Sequence, residues 1–237
     1  MDFFKLVHGR TALVAGATAG IGWAVSKSLC DNQVNTFMAD INAPPESIEC
    51  ATFLRVDLSK PDAADQIFEA MNIKNLLPDI LICNAGRGIQ EKLVAGDPAK
   101  WKYIFDLNLM GHLRLIRAFV PAMQSNNRAD VIFISSVAAS QPHPYGGIYS
   151  ASKAALENIA ETLRQECTPQ VRVTTITPGV VNSKFFENQV GGDKSAESFG
   201  WGYLEPDDVA EAVLYALSRP ARVAVNNITI RPRAQLF

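Results

Sequence analysis

The sequence predicts a single α/β domain: a doubly wound parallel sheet of about seven strands, with helices on both faces. Three observations lead there. Short β-rich runs alternate with segments of helical spacing along the chain. Most of these runs are continuously apolar rather than alternating, as strands covered on both faces must be. A chain of 237 residues, 48% hydrophobic, can bury a full core, and its length suits one domain over residues 1–237 better than two.

The strands are expected at residues 11–15, 35–39, 51–56, 79–83, 131–134 and 171–177, with a last one at 227–230. Ile21, Val25 and Leu29 give the first helix one apolar face, and Val209, Val213 and Leu217 do the same for the last. Asp97-Pro98 supplies an N-cap and a first-turn proline for a long helix over residues 101–123. A further helix is read over 149–166. Residues 183–203 show no period and contain Gly191-Gly192, Gly200 and Gly202, so this segment is expected to be a mobile loop over a substrate.

Charge and cysteine content narrow the function classes. With 22 Lys and Arg against 24 Asp and Glu, the formal charge is −2, and nothing favours a nucleic acid backbone or an anionic membrane. No apolar stretch reaches the 18 residues that would suggest a membrane span, and residues 1–10 do not resemble a signal sequence. Cys30, Cys50, Cys83 and Cys167 form no CxxC pair and are read as free thiols, which suits a reducing, cytoplasmic location. His8, His112 and His143 are scattered, so no metal site is expected.

After the first strand comes Gly16-Ala17-Thr18-Ala19-Gly20-Ile21-Gly22, leading into a helix. Glycines here allow a sharp turn and close approach of a pyrophosphate, whose charge is stabilised by the free N–H groups at the helix start. An ordinary strand-to-helix turn also uses glycine. Asp40 adds context: it ends the second strand, 18 residues beyond Gly22, where a carboxylate can accept hydrogen bonds from an adenosine ribose and would repel a 2′-phosphate. No Arg or Lys occupies Ala17, Thr18, Ile41 or Asn42, so NAD is expected rather than NADP.

Tyr149 and Lys153 stand four residues apart at a helix start and project from one face. A phenol with a reference pKa of about 10 is a poor base at pH 7, and correcting this takes roughly 4 kcal/mol. An ammonium at about 5 Å supplies roughly 3 kcal/mol at an effective dielectric near 20, and an oxidised nicotinamide adds in the same direction. Taken alone, Tyr-x-x-x-Lys also describes a surface pair. Ser135 and Ser136 follow the fifth strand at the carboxyl end of the sheet, where such folds place ligands. The Ser136 hydroxyl can donate to a substrate oxygen as charge develops on it. Two serines can equally end a strand by local backbone bonding.

Together these features resemble the short-chain dehydrogenase/reductase family in its compact form, across nearly the whole chain, and the resemblance implies a Rossmann fold. The family's TGxxxGxG turn matches residues 15–22 with Ala15 for Thr, its NAG motif matches Asn84-Ala85-Gly86, and its YxxxK matches Tyr149 and Lys153. Asn108, Ser136, Tyr149 and Lys153 fill the four catalytic positions. By that resemblance Tyr149 is the acid/base, Lys153 binds the nicotinamide ribose and lowers the Tyr149 pKa, Ser136 holds the substrate oxygen and Asn108 seats a relay water. From the residues alone, Asn108 is only a polar interruption of an apolar helix stripe. Cofactor contacts are implied at Gly16, Thr18, Gly20, Ile21, Gly22, Asp40, Asp57, Leu58, Asn84, Ala85 and Gly86. Others are implied at Pro178, Gly179, Val181 and Ser183, where Ser183 replaces the family Thr.

Gln141 and His143 (with Pro144) are placed to line a substrate pocket, and Phe185, Phe186 and Trp201 to close it, which suits a partly apolar substrate. The end of the chain resembles reductases related to hydroxy-amino-acid dehydrogenases, which usually prefer NADP; Asp40 conflicts with that preference. The expectation is an NAD-dependent enzyme that interconverts a secondary alcohol or hydroxy acid and the matching ketone, as a homodimer or homotetramer. Epimerases and dehydratases with the same Tyr and Lys carry a larger C-terminal domain. A cofactor-binding sensor or scaffold without turnover would be expected to lose Tyr149, Lys153 or Ser136.

Overall fold

Seven parallel strands form one sheet in the order β3-β2-β1-β4-β5-β6-β7. The computed structural model describes residues 6–126, 128–191 and 196–236. The strands are β1 (Thr11–Ala15), β2 (Asn35–Asp40), β3 (Ala51–Arg55), β4 (Ile80–Cys83), β5 (Ala129–Ile134), β6 (Val171–Pro178) and β7 (Asn227–Ile230). Every expected strand is present, with ends within two residues of the sequence reading. β1, β4 and β5 are buried along their whole length, which is why they are apolar but for Thr11 and the buried Asp130.

Among the described residues six α-helices cover the sheet: α1 (Gly20–Asp31), α2 (Ala63–Asn72), α3 (Pro98–Phe105), α4 (Gly111–Met123), α5 (Gly147–Cys167) and α6 (Pro206–Leu217). Two cores result, one on each face. Ile67 and Met71 of α2, Phe119 of α4 and Leu156 of α5 pack with Leu13, Phe37, Leu81 and Phe133. On the other face Val25 and Leu29 of α1 meet Val209, Val213 and Leu217 of α6 over Val14, Met38, Ile82 and Ile134. Successive strand residues thus serve opposite cores, as the pleat requires.

The expected helix over 101–123 starts as read, with Asp97 accepting from the Ala99 N–H and Pro98 in the first turn. It is not uniform: Asp106–Met110 is a π-helical segment between α3 and α4, centred on Asn108. The segment over 183–203 contains a short 3-10 helix (Ala196–Phe199), is bridged to Ile89 through Val190, and is flanked by Val181 and Leu204, which bridge to each other. Its Gly192 lies outside the described residues.

The reading of four free thiols is corrected. Cys30 and Cys50 form a disulfide, while Cys83 and Cys167 are free and buried. Pairing of β3 beside β2 returns the start of β3 to the end of α1, leaving the two Cα atoms 5.7 Å apart, a proximity that a separation of 20 positions in sequence cannot signal. The thiol argument for a reducing compartment therefore does not hold. Among the described residues, no helix is long and apolar enough to cross a membrane.

Candidate active site

Strand order reverses between β1 and β4, and the turns that follow these two strands open the crevice in which such sheets bind ligands. A cavity of about 770 Å³ runs from there along the carboxyl ends of the strands. Gly16 has φ +72°, and a Cβ on it would lie 2.7 Å from Ala85 Cα. A Cβ on Gly22 would overlap the Gly16 carbonyl oxygen and approach Asn84 Nδ2 to 2.6 Å. These two positions must be glycine for the β1 and β4 turns to touch. Asn84 Nδ2 then donates to the Gly16 carbonyl at 2.7 Å. No side chain caps α1, so the N–H groups of its first turn remain available beside Gly20 and Ile21 on the cavity wall.

Asp40 ends β2 on the same wall. Its Oδ2 accepts from the Thr18 N–H at 3.1 Å and its Oδ1 from the Asn42 N–H at 3.2 Å, which fixes the carboxylate at this end of the cavity. Thr18 is not among the cavity-lining residues, and its N–H holds Asp40. Gly22 is likewise behind the wall. Asp57 and Leu58 line it, with Asp57 accepting from the Ser59 N–H and hydroxyl.

At the other end, α5 presents Tyr149 and Lys153, and Ser136 follows β5. The Ser136 hydroxyl caps the turn by accepting from the Ala138 N–H at 3.2 Å, and it also hydrogen-bonds the Tyr149 phenol. Local capping and a place in the site are therefore both realised. Lys153 is buried and donates to the Ile134 carbonyl at 2.7 Å. Burial pushes its pKa down to about 8, against the attraction of Cys83 and Glu157. Tyr149 moves the other way: burial raises it to about 12, opposed only by the hydrogen bond with Ser136. Desolvation of the phenolate thus opposes ionisation of Tyr149.

Asn108 is fully buried, and its amide is engaged by protein partners. Oδ1 accepts from the Arg87 N–H at 2.8 Å, and Nδ2 donates to the Arg87 carbonyl at 3.0 Å and to Ser152 Oγ at 3.1 Å. It clasps the turn after β4 from behind the wall. Pro178, Gly179, Val181 and Ser183 line the cavity, as do Gln141, His143, Phe185, Phe186 and Trp201. The Phe185 ring lies 5.4 Å from that of Tyr149.

A model of the short chain dehydrogenase family matches residues 10–193. The chain belongs to that family. An oxidoreductase of Staphylococcus saprophyticus is 30% identical over 95% of this chain and 98% of its own. Among solved structures, the closed form of a serine dehydrogenase complexed with NADP+ is 27% identical with a TM-score of 0.87, covering 96% of each chain. A 3-ketoacyl-(acyl-carrier-protein) reductase of Brucella melitensis complexed with NADH, at 23% identity and TM-score 0.86 over 96% of this chain and 99% of that one, shares the fold. The protein is thus an oxidoreductase of the short chain dehydrogenase family.

Several wall residues of this family member escaped the sequence reading. Gln235 accepts from the Val180 N–H at 3.0 Å and reaches the cavity from the end of the chain, a contact 55 positions long that carries no local pattern. Tyr103 and Tyr145 also line it. Arg87 stood directly after Asn84-Ala85-Gly86, and its place beside that motif was a usable signal.

Proposed function

We propose that the protein is an NAD-dependent dehydrogenase or reductase that interconverts a secondary alcohol, including hydroxy acids, and the matching ketone. The observation that carries this reading is one continuous cavity with the glycine turn and Asp40 at one end and Ser136, Tyr149 and Lys153 at the other.

The residues fit a dinucleotide. Uncapped N–H groups of α1 suit a pyrophosphate, and a pinned Asp40 carboxylate suits ribose hydroxyls while opposing a 2′-phosphate. Such a cofactor, when bound, supplies or accepts the hydride. Tyr149 handles the proton. With its pKa pushed up to about 12, the phenol is neutral at pH 7 and ready to donate to a carbonyl oxygen, with Ser136 hydrogen-bonded beside it to orient that oxygen. Lys153, held by the Ile134 carbonyl, brings a cation to the same end. Asn108 positions the turn that carries Arg87, and Phe185 shields the phenol from water. We assign a homodimer or homotetramer, built on the helices over 101–123 and 149–166, and a cytoplasmic location to the same reading.

Titration of NADH and NADPH into the purified protein, followed by quenching of tryptophan fluorescence, tests the cofactor. Tighter NADH is expected; tighter NADPH overturns the role given to Asp40. Tyr149→Phe is expected to keep NADH affinity within about twofold and to lose at least a hundredfold in kcat. Equal turnover in that variant would remove Tyr149 from the mechanism.

A further inference from the structure

Arg87 occupies the stretch of wall between Lys153 and Phe185. A Cβ on its neighbour Gly86 would lie 3.6 Å from Lys153 Nζ, and a Cβ on Gly88 would lie 3.0 Å from the Phe185 ring, which in turn faces Tyr149. The main chain of Arg87 is clasped on both sides by Asn108. Its side chain is only half-buried, lines the cavity, and is steadied by one bond, from Nε to the Asn188 carbonyl at 2.7 Å. The two terminal nitrogens make no hydrogen bond to the described residues. A guanidinium so held presents its remaining fork to the cavity, in the geometry that matches a carboxylate.

The charges around it point the same way. The acidic residues on the described wall, Asp40 and Asp57, both belong to the far end, beyond β2 and β3. At the Tyr149 end the charged side chains on the described wall are Arg87, Lys153 and Lys184, while the Glu157 carboxylate lies off that wall and accepts from the Ser135 and Thr177 hydroxyls. A substrate carrying a carboxylate is attracted here, and one carrying an ammonium meets cations and no carboxylate on this part of the described wall.

We propose that Arg87 binds the carboxylate of a hydroxy acid or oxo acid that lacks an amino group, and so sets substrate class at this site. The assignment rests on the oxidoreductase reading above. In the reducing direction the cofactor, when bound, would supply a hydride to the carbonyl carbon as the C=O π bond breaks, and the neutral Tyr149 phenol donates its proton to the oxygen, later regaining one from solvent. The products are the hydroxy acid and the oxidised cofactor, and the carboxylate is unchanged.

The test compares 2-hydroxy and 3-hydroxy carboxylates of four to eight carbons with their methyl esters, in wild type, Arg87→Met and Arg87→Lys. Binding is measured by calorimetry with saturating NADH, and turnover is measured separately. Wild type is expected to bind the best acid at least tenfold tighter than its ester, Arg87→Met to bring that ratio to within threefold of one, and Arg87→Lys to keep part of it. The ester is the control for structure: loss of the bond to Asn188 alone would weaken acid and ester together and leave the ratio standing. An unchanged ratio in Arg87→Met, or a wild type that binds esters as well as acids, overturns the assignment. Acid-selective binding lost in Arg87→Met, without turnover of any alcohol, would uphold Arg87 and instead remove the dehydrogenase reading.

Discussion

Asn84 donates its side-chain amide to the Gly16 carbonyl at 2.7 Å, tying the turn after β4 to the turn after β1 where the strand order reverses. Gly22 closes the same contact from α1, since its missing side chain leaves room for both groups. The crevice therefore depends on three backbones meeting at one point.

Gly22→Ala is expected to force these backbones apart. Its Cβ would overlap a carbonyl oxygen, which cannot swing away as a flexible side chain can, so a loss of about 1–3 kcal/mol in urea denaturation is expected. NADH affinity should fall at least tenfold. Asn84→Ala is expected to be milder in stability, at about 1 kcal/mol, because it removes one hydrogen bond without a clash.

Asp40→Ser removes the carboxylate while keeping a hydroxyl that can accept from Thr18. The ratio of NADPH to NADH affinity is expected to rise at least tenfold, measured by fluorescence titration of both cofactors against wild type. A ratio that does not move would mean that Asp40 does not read the ribose.

His112 gives a stability signal on the acid side. It is buried, its Nε2–H donates to the Ala85 carbonyl at 2.7 Å, and Nδ1 has no partner among the described residues. Burial, aided by the Lys153 charge, lowers its pKa from 6.5 to about 4. Between those values the unfolded chain binds a proton that the folded one refuses, so stability rises with pH across this window and is lost as pH falls through it. The full contribution is on the order of 3 kcal/mol. His112→Phe is expected to flatten the urea-denaturation profile between pH 6.5 and 4 relative to wild type, and an unchanged slope would show that the imidazole takes up protons alike in the folded and unfolded chain.

Asp130 sits between two guanidiniums at the amino end of the sheet. It accepts from Arg10 Nη1 at 2.7 Å and from Arg172 Nε at 2.7 Å, and all three side chains are largely buried. Asp130→Ala leaves Arg172 with carbonyl partners alone and Arg10 with Asp79 as its one carboxylate among the described residues, which is expected to cost about 3–5 kcal/mol by chemical denaturation. NADH affinity should stay within about twofold provided the protein remains folded, because the network lies at the end of the strands opposite the cavity.

The strands were legible because burial on both faces writes itself as apolar runs, at residues 12–15 of β1, 80–83 of β4 and 131–134 of β5. The long helix was legible at its start, where Asp97 and Pro98 act locally, and illegible at Asn108, because the π-helical turn answers to hydrogen bonds with Arg87 and Ser152 on other elements. The disulfide escaped for the same reason: the proximity of Cys30 and Cys50 is created by the sheet.

Sequence by itself determined the α/β class, the order of elements, the family resemblance and the spacing that puts Tyr149 and Lys153 on one helix face. Those properties are local or periodic, and local sterics and apolar patterning are enough to express them. Only the tertiary structure decided that the Asp40 carboxylate is pinned by Thr18, that Gln235 reaches Val180, that burial pushes the Tyr149 phenol up, and that Arg87 lines the cavity. Each of these is a balance of desolvation and contact between segments distant along the chain. Such a balance is settled only when the sheet brings them together.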